Sequence, residues 1–265
     1  MKYLNQIVCG DSLEIMREMP DKSVDLVLTS PPYDNLREYE GYVFDFESTA
    51  KELFRLLKDG GIIVWVVGDQ VIDGSESGTS FKQALYFKDL GLNIHDTMIY
   101  AKNGPVYPSQ NRYYQIFEYM FVFSKVEPKT FNPIKDRINK WEGTRWSKTR
   151  SRRGKDGKLK SVPWDADQGG KFGVRFNIWK YSVGAGYSTK DLIAFDHPAI
   201  FPDKLAGDHI ISWTNKGDLV LDPFGGSCTT GKMAKELGRN FICIEKEHKY
   251  CDIGERRLAQ EVMDL

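Results

Sequence analysis

Two short stretches of this 265-residue chain hold residue types from which chemistry is made. The first is TSPPY (Thr29–Tyr33), which follows the apolar run VDLVL. Two consecutive prolines have no N–H groups and a fixed φ, so the chain just past such a strand is rigid and extended. The carbonyl oxygens of Ser30 and Pro31 are then free to accept from something other than the protein, the Ser30 hydroxyl adds another acceptor, and Tyr33 offers a flat face. Such a group suits an exocyclic aromatic amine, held by both N–H bonds while its ring stacks on the tyrosine. By itself the stretch reads more readily as a structural turn.

The second stretch, DLVLDPFGGS (Asp218–Ser227), shifts that balance. Asp222 ends a predicted strand, Gly225 and Gly226 let the backbone approach a ligand closely, and a helix starts at about Thr229. Glu245 ends the next strand, FICIE, 19 residues after Gly226. A glycine turn followed by an acidic strand end is the arrangement of a nucleoside or dinucleotide site, with the carboxylate reaching a ribose hydroxyl. The turn is not GxGxxG and has no lysine of the P-loop kind, so it suits an adenosyl group without a phosphate chain. The bland alternative is a glycine turn that only joins strand to helix.

The elements around these stretches alternate as in a mostly parallel sheet with crossover helices. QIVCGD (Gln6–Asp11) and VDLVLTS are strands, and SLEIMREMP is a helix capped by Asp11 or Ser12 and stopped by Pro20. A helix is predicted from about Ser48 to Lys58, ended by Gly60-Gly61, and GIIVWVVGD is a strand apolar on both faces. FKQALYFKDLGLNI is helical, and DTMIYAKN with EYMFVFSK form closing strands that suit an antiparallel pair. The rhythm lapses from about Phe131 to Asp196, a polar, basic, glycine-rich stretch, and then returns. The expected fold is a Rossmann-like, doubly wound α/β sheet with an antiparallel closing strand, split by an insertion: 1–130, 131–196 and 197–265. In such sheets ligands bind at the carboxyl edge, where both motifs end.

These motifs together resemble the β class of amino-directed, S-adenosylmethionine-dependent DNA methyltransferases. TSPPY matches the family's catalytic motif, DPFGGSCTT its methionine-binding motif, HPAIFPDKL the segment that folds over the cofactor, and NQIVCGDSLEIM the opening strand. The order of catalytic block, recognition insertion and cofactor block is also that of the β class. Cys228 departs from the family, which usually has glycine there, and is expected to crowd the turn. The resemblance implies S-adenosyl-L-methionine as cofactor, with Asp11 at the adenine, Glu245 at the ribose, and Asp222, Phe224, Gly225, Gly226, Ser227 and Thr229 along the methionine side. Lys204 would help close the pocket. His197 and Pro198 lie in the same segment, where a hydrogen-bonded structural role is the favoured reading of the histidine.

Ser30, Pro31, Pro32 and Tyr33 would then hold a base flipped out of double-stranded DNA. An aromatic amine is a poor nucleophile because its lone pair is delocalised; acceptors on both N–H bonds draw it toward tetrahedral geometry, and in-line positioning does the rest. Cytosine C5 methylation is excluded, since it uses a cysteine after proline and none of the 11 prolines precedes a cysteine. Within the family, Ser30 and the HPAIFP segment lean toward N4 of cytosine, whereas Asp at the Ser30 position leans toward N6 of adenine. N6-adenine is the alternative, with an inactive DNA-binding relative or an RNA methyltransferase as more distant ones.

Formal net charge is zero, yet Lys135 to Arg175 holds 13 basic and 5 acidic residues, an excess of 13 − 5 = +8. Arg145, Lys148, Arg150, Arg152 and Arg153 are expected on phosphates, with Trp146 near the bases; the plain alternative is a solvated loop. The four cysteines show no CxxC spacing, so neither a disulfide framework nor a metal site is expected, only buried or half-buried thiols. No run approaches the roughly 18 apolar residues of a bilayer span, and no signal-peptide pattern opens the chain, which points to the cytoplasm of a prokaryote or phage-infected cell. Whether a restriction endonuclease accompanies the chain, and whether it forms a homodimer, stays open.

Overall fold

The computed structural model describes residues 1–32, 44–103, 111–140, 149–163, 171–184 and 186–260. Its elements run β1 (Gln6–Cys9), α1 (Ser12–Arg17), β2 (Val24–Thr29), α2 (Phe46–Leu56), β3 (Leu57–Val67), β4 (Val71–Ile72), β5 (Ser75–Glu76), α3 (Thr79–Asp89), β6 (Asn93–Lys102) and β7 (Phe117–Ser124). There follow β8 (Arg137–Ile138), β9 (Thr149–Arg153), β10 (Leu159–Pro163), β11 (Phe172–Gly173), β12 (Ile178–Tyr181), a 3-10 turn at Leu192–Asp196, α4 (Asp203–Trp213), β13 (Leu219–Asp222), α5 (Thr229–Glu236), β14 (Asn240–Glu245) and α6 (His248–Leu258).

The chain divides into two units: Met1–Asn132 with Asn177–Leu265, and Pro133–Phe176. The first is built on an eight-stranded sheet in the order β1-β14-β13-β2-β3-β7-β6-β12. All neighbours pair in parallel except β7, which runs antiparallel to β3 and β6. The chain leaves β2 toward β3 and leaves β13 toward β14, in opposite directions from adjacent strands. That reversal opens a crevice at their carboxyl ends, the place where doubly wound sheets take ligands.

Strand β2 is buried along its whole length, and the inner residues of β3 are too. Sheet residues Val27, Ile63, Trp65, Leu221 and Ile242 share a core with Met16 of α1, Leu53 and Leu56 of α2 and Phe87 of α3. Trp65 is fully buried, meets the ring of Phe87 edge-on at 5.2 Å and donates its indole N–H to Gln83 Oε1 at 2.9 Å. Helices α4, α5 and α6 pack in sequence elsewhere on the sheet.

Several details differ from the sequence reading: α3 spans Thr79–Asp89, and Asn93 and Ile94, expected at its end, open β6. Helix α2 begins at Phe46 rather than Ser48, because Asp45 accepts from the Ser48 N–H at 3.1 Å and caps it there. It ends at Leu56, and Gly60-Gly61 falls inside β3. There the register against β2 jumps between Val24 and Leu26, and Gly60 adopts a left-handed φ of +78°. Strand β12 lies within the stretch assigned to the insertion, yet pairs in parallel with β6 and buries Trp179 and Tyr181. Its four residues alternate exposed and buried, a short amphipathic strand concealed by polar surroundings.

The second unit, Pro133–Phe176, lies inside the expected 131–196 insertion. It contains the antiparallel hairpin β9–β10 and the short pair β8–β11. Arg175 Nε donates to both carboxylate oxygens of Asp136, at 3.1 and 2.9 Å, and the Arg137 guanidinium lies 4.7 Å from the centre of the Phe176 ring. No described helix is long and apolar enough to cross a membrane.

Because Trp65 fills the core and its N–H is satisfied there, Trp65→Ala should cost about 3–5 kcal/mol of stability. Urea unfolding would show the loss as a lower midpoint at an unchanged slope.

Candidate functional site

The carboxyl ends of β1, β2, β13 and β14 open into one cavity of about 340 Å³, within the roughly 300–1,000 Å³ usual for small-molecule sites. Gly10, Asp11 and Ser12 enter it after β1, Ser30 and Pro32 after β2, the turn Asp222–Ser227 with Thr229 after β13, and Glu245, Lys246 and Glu247 at β14. His197, Ala199, Ile200 and Phe201 form a further wall, and Glu118 and Tyr250 complete it. Both stretches singled out in the sequence therefore face the same space.

Asp222 is 5% exposed and joins the two strands directly: Thr29 Oγ1 donates to its Oδ1 at 2.7 Å, and the Phe224 N–H to the same oxygen at 3.1 Å. Burial pushes its pKa up to about 6, against the opposing pull of hydrogen bonds from Thr29, Thr230 and Phe224. Glu245 accepts from the Gly226 N–H on Oε2 at 2.7 Å and from the Glu247 N–H on Oε1 at 2.9 Å. Burial raises its pKa too. Asp11 caps α1, its Oδ1 accepting from the N–H groups of Leu13 at 2.9 Å and Glu14 at 3.3 Å.

The glycine turn is held closely. Gly225 donates to Ile244 O at 2.8 Å, and Gly226 has a left-handed φ of +51°, with the His197 ring only 3.1 Å from where a Cβ would stand. His197 Nδ1 sits 2.7 Å from Ala199 O and 3.1 Å from Ala199 N, and its ring meets that of Tyr250 edge-on at 4.2 Å. Cys228 also adopts a left-handed conformation, φ +59°, which a side chain occupies at a cost of about 1–2 kcal/mol. Its crowding is absorbed by two neighbours: a Cβ on Gly231 would stand 2.6 Å from Cys228 Sγ, and one on Gly254 2.8 Å from Cys228 Cβ.

The charge of the lining selects its ligand. Asp11, Asp222, Glu245 and Glu247 face it against one lysine, Lys246, and a fifth carboxylate, Glu118, is paired with Lys102. Such a lining repels a phosphate chain and favours a cation, while Ile200, Phe201, Phe224, Ile244 and Tyr250 supply apolar surface for a flat ring.

Of the expected site residues, Ser30, Pro32, Asp11, Asp222, Phe224, Gly225, Gly226, Ser227, Thr229 and Glu245 all line this cavity. Pro31 is buried and is not among the lining residues. Lys204, the second residue of α4, is exposed and does not line the cavity either; the neighbouring Asp203 accepts from Arg257 Nη2 at 3.1 Å. Tyr33, Arg145, Trp146 and Lys148 lie outside the described residues, and of Arg150 only the backbone, in β9, is described. Arg152 and Arg153 are exposed on the β9–β10 hairpin, where Arg153 donates to Gly157 O at 2.7 Å. Arg152 stands directly opposite Lys160, so two like charges share a cross-strand position. Among the cysteines, Cys9 is exposed and the other three are buried.

Glu118 escaped the sequence reading. It is the second residue of β7, and because β7 runs antiparallel to its neighbours in the main sheet, its first residues reach the edge where the parallel strands end. Lys102 forms an ion pair with it. Tyr250 escaped as well, since nothing in its spacing separates it from ordinary packing residues, whereas Phe201 lies within the HPAIFPDKL segment expected over the cofactor.

A family model described as a DNA methylase, of the N6/N4 type, matches residues 24–256. The orphan methyltransferase M.BamHII of Bacillus amyloliquefaciens is 54% identical over 244 residues, covering 92% of this chain and 91% of that protein. The type II methyltransferase M.BglII of Bacillus subtilis is 28% identical over 270 residues, covering 98% of this chain and 70% of that protein. Among solved structures, the cytosine-N4-specific PvuII DNA methyltransferase superposes with a TM-score of 0.69 at 23% identity, over 98% of this chain and 90% of its own. M1.HpyAVI, solved with SAM, gives 0.61 at 23% identity, over 96% and 98%. These two likenesses establish the fold.

The raised pKa of Asp222 has a stability consequence of definite sign. Its folded value, about 6, exceeds the ordinary 3.8, so ionising it destabilises the fold; the penalty is full above pH 6, shrinks as pH falls toward 4, and amounts to about 3 kcal/mol at pH 8. Asp222→Asn should therefore stabilise the ligand-free protein against urea at pH 8, with roughly half of that gain left at pH 5. A gain of constant size across that range would contradict the assignment.

Proposed function

As the chain belongs to the N6/N4-type DNA methylase family, we propose that it transfers a methyl group from S-adenosylmethionine to N4 of a cytosine in double-stranded DNA. The observation that carries this reading is the single cavity lined both by Ser30 and Pro32 and by the turn from Asp222 to Thr229. The choice of cytosine rests on Ser30 and on the HPAIFP segment, residues 197 to 202.

The acidic lining fits the proposed cofactor, whose sulfonium and ammonium groups are cationic and which has no phosphate. S-adenosylmethionine, when bound, supplies the activated methyl group. Asp222 would face its amino-acid end, Glu245 the ribose and Asp11 the adenine edge. Glu245 holds the Gly226 N–H and so sets the backbone path beside which the cofactor would lie.

For the acceptor, Ser30 Oγ and the Pro31 carbonyl accept from the two N–H bonds of the target amine and localise its lone pair. Tyr33 fixes the ring by stacking. The two prolines keep these acceptors preorganised, so little reorganisation accompanies the reaction. Ser30 is a weak base, and the amine proton leaves to water after the methyl group has arrived. Extrusion of the base from the duplex costs a few kcal/mol, which stacking and edge hydrogen bonds return. The basic unit neutralises phosphates through Arg145, Lys148, Arg150, Arg152 and Arg153, with Trp146 near the bases. Support comes from the exposure of Arg152 and Arg153 on the β9–β10 hairpin, where Arg152 stands opposite Lys160.

Incubation with tritiated S-adenosylmethionine and either duplex DNA or RNA, followed by hydrolysis to nucleosides, should place the label on N4-methylcytosine of the DNA. Label on N6-methyladenine would overturn the choice of base, and label on RNA alone would overturn the choice of substrate. Ser30→Ala should slow transfer by about 100-fold or more while leaving cofactor affinity near native; equal loss of both would mean that Ser30 belongs to the cofactor end. Replacing Arg152 and Arg153 by glutamine should lower the slope of log K against log salt by about 0.9 for each phosphate no longer neutralised, alike on specific and random duplexes.

A further inference from the structure

Arg257, in the last turn of α6, has a side chain with no solvent exposure. Burying a guanidinium is costly unless its donors are met, and here they are met by two stretches of chain that wall the cavity. Nε donates to Asp191 Oδ2 at 2.8 Å and Nη2 to Asp203 Oδ1 at 3.1 Å. Nη1 donates to Ser227 O at 2.6 Å, Ser227 Oγ at 3.1 Å and Thr229 Oγ1 at 2.9 Å.

The placement of those acceptors is what matters. Asp191 and Asp203 bracket the segment whose residues 197 and 199 to 201 form one wall of the cavity, while Ser227 and Thr229 belong to the glycine turn that forms another. One planar cation thus ties both ends of the first wall to the second. Arg257 itself is not among the residues lining the cavity, and the family match ends one residue before it.

We propose that Arg257 is a positioning residue that sets cofactor affinity by clamping the 191–203 segment to the glycine turn, without touching the cofactor. This rests on the reading of the cavity as the S-adenosylmethionine site. Lysine could not replace it, because a single ammonium centre cannot span two carboxylates and a carbonyl as the guanidinium fork does. Asp203 has other support, from Thr189 Oγ1 at 2.7 Å and Lys232 Nζ at 3.2 Å. Asp191, whose other side-chain partners are Ile193 N–H and Gln260, is the carboxylate that removal of the guanidinium deprives of its ion pair, leaving only the more distant charge of Lys232.

That difference allows the fold and the clamp to be separated. In Arg257→Gln combined with Asp191→Asn the orphaned charge is gone, so thermal stability should recover most of what Arg257→Gln alone loses. Cofactor affinity should not recover, since Ser227 and Thr229 are still unclamped. Calorimetry with S-adenosylmethionine should show the double variant and Arg257→Lys binding about 10- to 100-fold more weakly than wild type. Their kcat at saturating cofactor and their affinity for a random duplex should stay within about twofold of wild type.

Wild-type cofactor affinity in either folded variant would overturn the proposal. So would a parallel fall in cofactor affinity, kcat and DNA affinity, which marks a merely structural role. Were the double variant not to fold, Arg257→Lys decides on the same criteria. If the wild-type chain took up no S-adenosylmethionine, the methyl-transfer reading itself would fall, and this proposal with it.

Discussion

The hydrogen bond from Thr29 to Asp222 joins the two strands on which the site is built. Thr29 is the last residue of β2 and precedes Ser30; Asp222 is the last residue of β13 and precedes the glycine turn. The bond is buried and 2.7 Å long, so the Ser-Pro-Pro corner and the turn leave the sheet from one fixed point. The spacing between Ser30 and the glycine turn starts from this bond. Parallel pairing of β2 with β13 makes it available, since it brings both carboxyl ends to the same edge.

The fold tolerates a costly group there. A buried carboxylate with its pKa raised to about 6 weakens the ligand-free protein, and nearby Glu245 is raised too. Strain of this kind at a ligand edge is consistent with a site whose charges are completed by a cationic ligand. The surrounding walls are rigid for separate reasons: Glu245 pins Gly226, His197 closes off the space beside it, and Arg257 anchors both walls from behind. Cys228 shows how tightly the turn is packed, because Gly231 and Gly254 leave it room that no side chain could share.

Much of this arrangement is legible in the sequence because it depends on local chemistry. Apolar runs ending in Asp222, Glu245 and Ser30 mark strands that stop at a ligand edge, and Asp11 is recognisable as a helix cap. What escaped depends on tertiary placement. Strand β12 is four residues with only two buried, too short for periodicity to separate from the polar stretch around it. Glu118 gains its position only from the reversed direction of β7. Arg257 looks like any basic residue in a helix's last turn, where interaction with the helix dipole would explain it; its burial cannot be read from GERRL. Lys204 differs in the opposite way, being assigned by motif position while the helix turns it to solvent.

The central claim is that the cavity at this edge binds a cationic adenosyl cofactor against the Asp222 carboxylate. Calorimetric affinity for S-adenosylmethionine, measured from pH 8 down to pH 5, tests it most directly. Because Asp222 takes up a proton near pH 6 in the free protein, binding should be roughly tenfold weaker at pH 5 than at pH 8, with protons released on binding at the lower pH. Affinity that stays constant over that range would contradict the account.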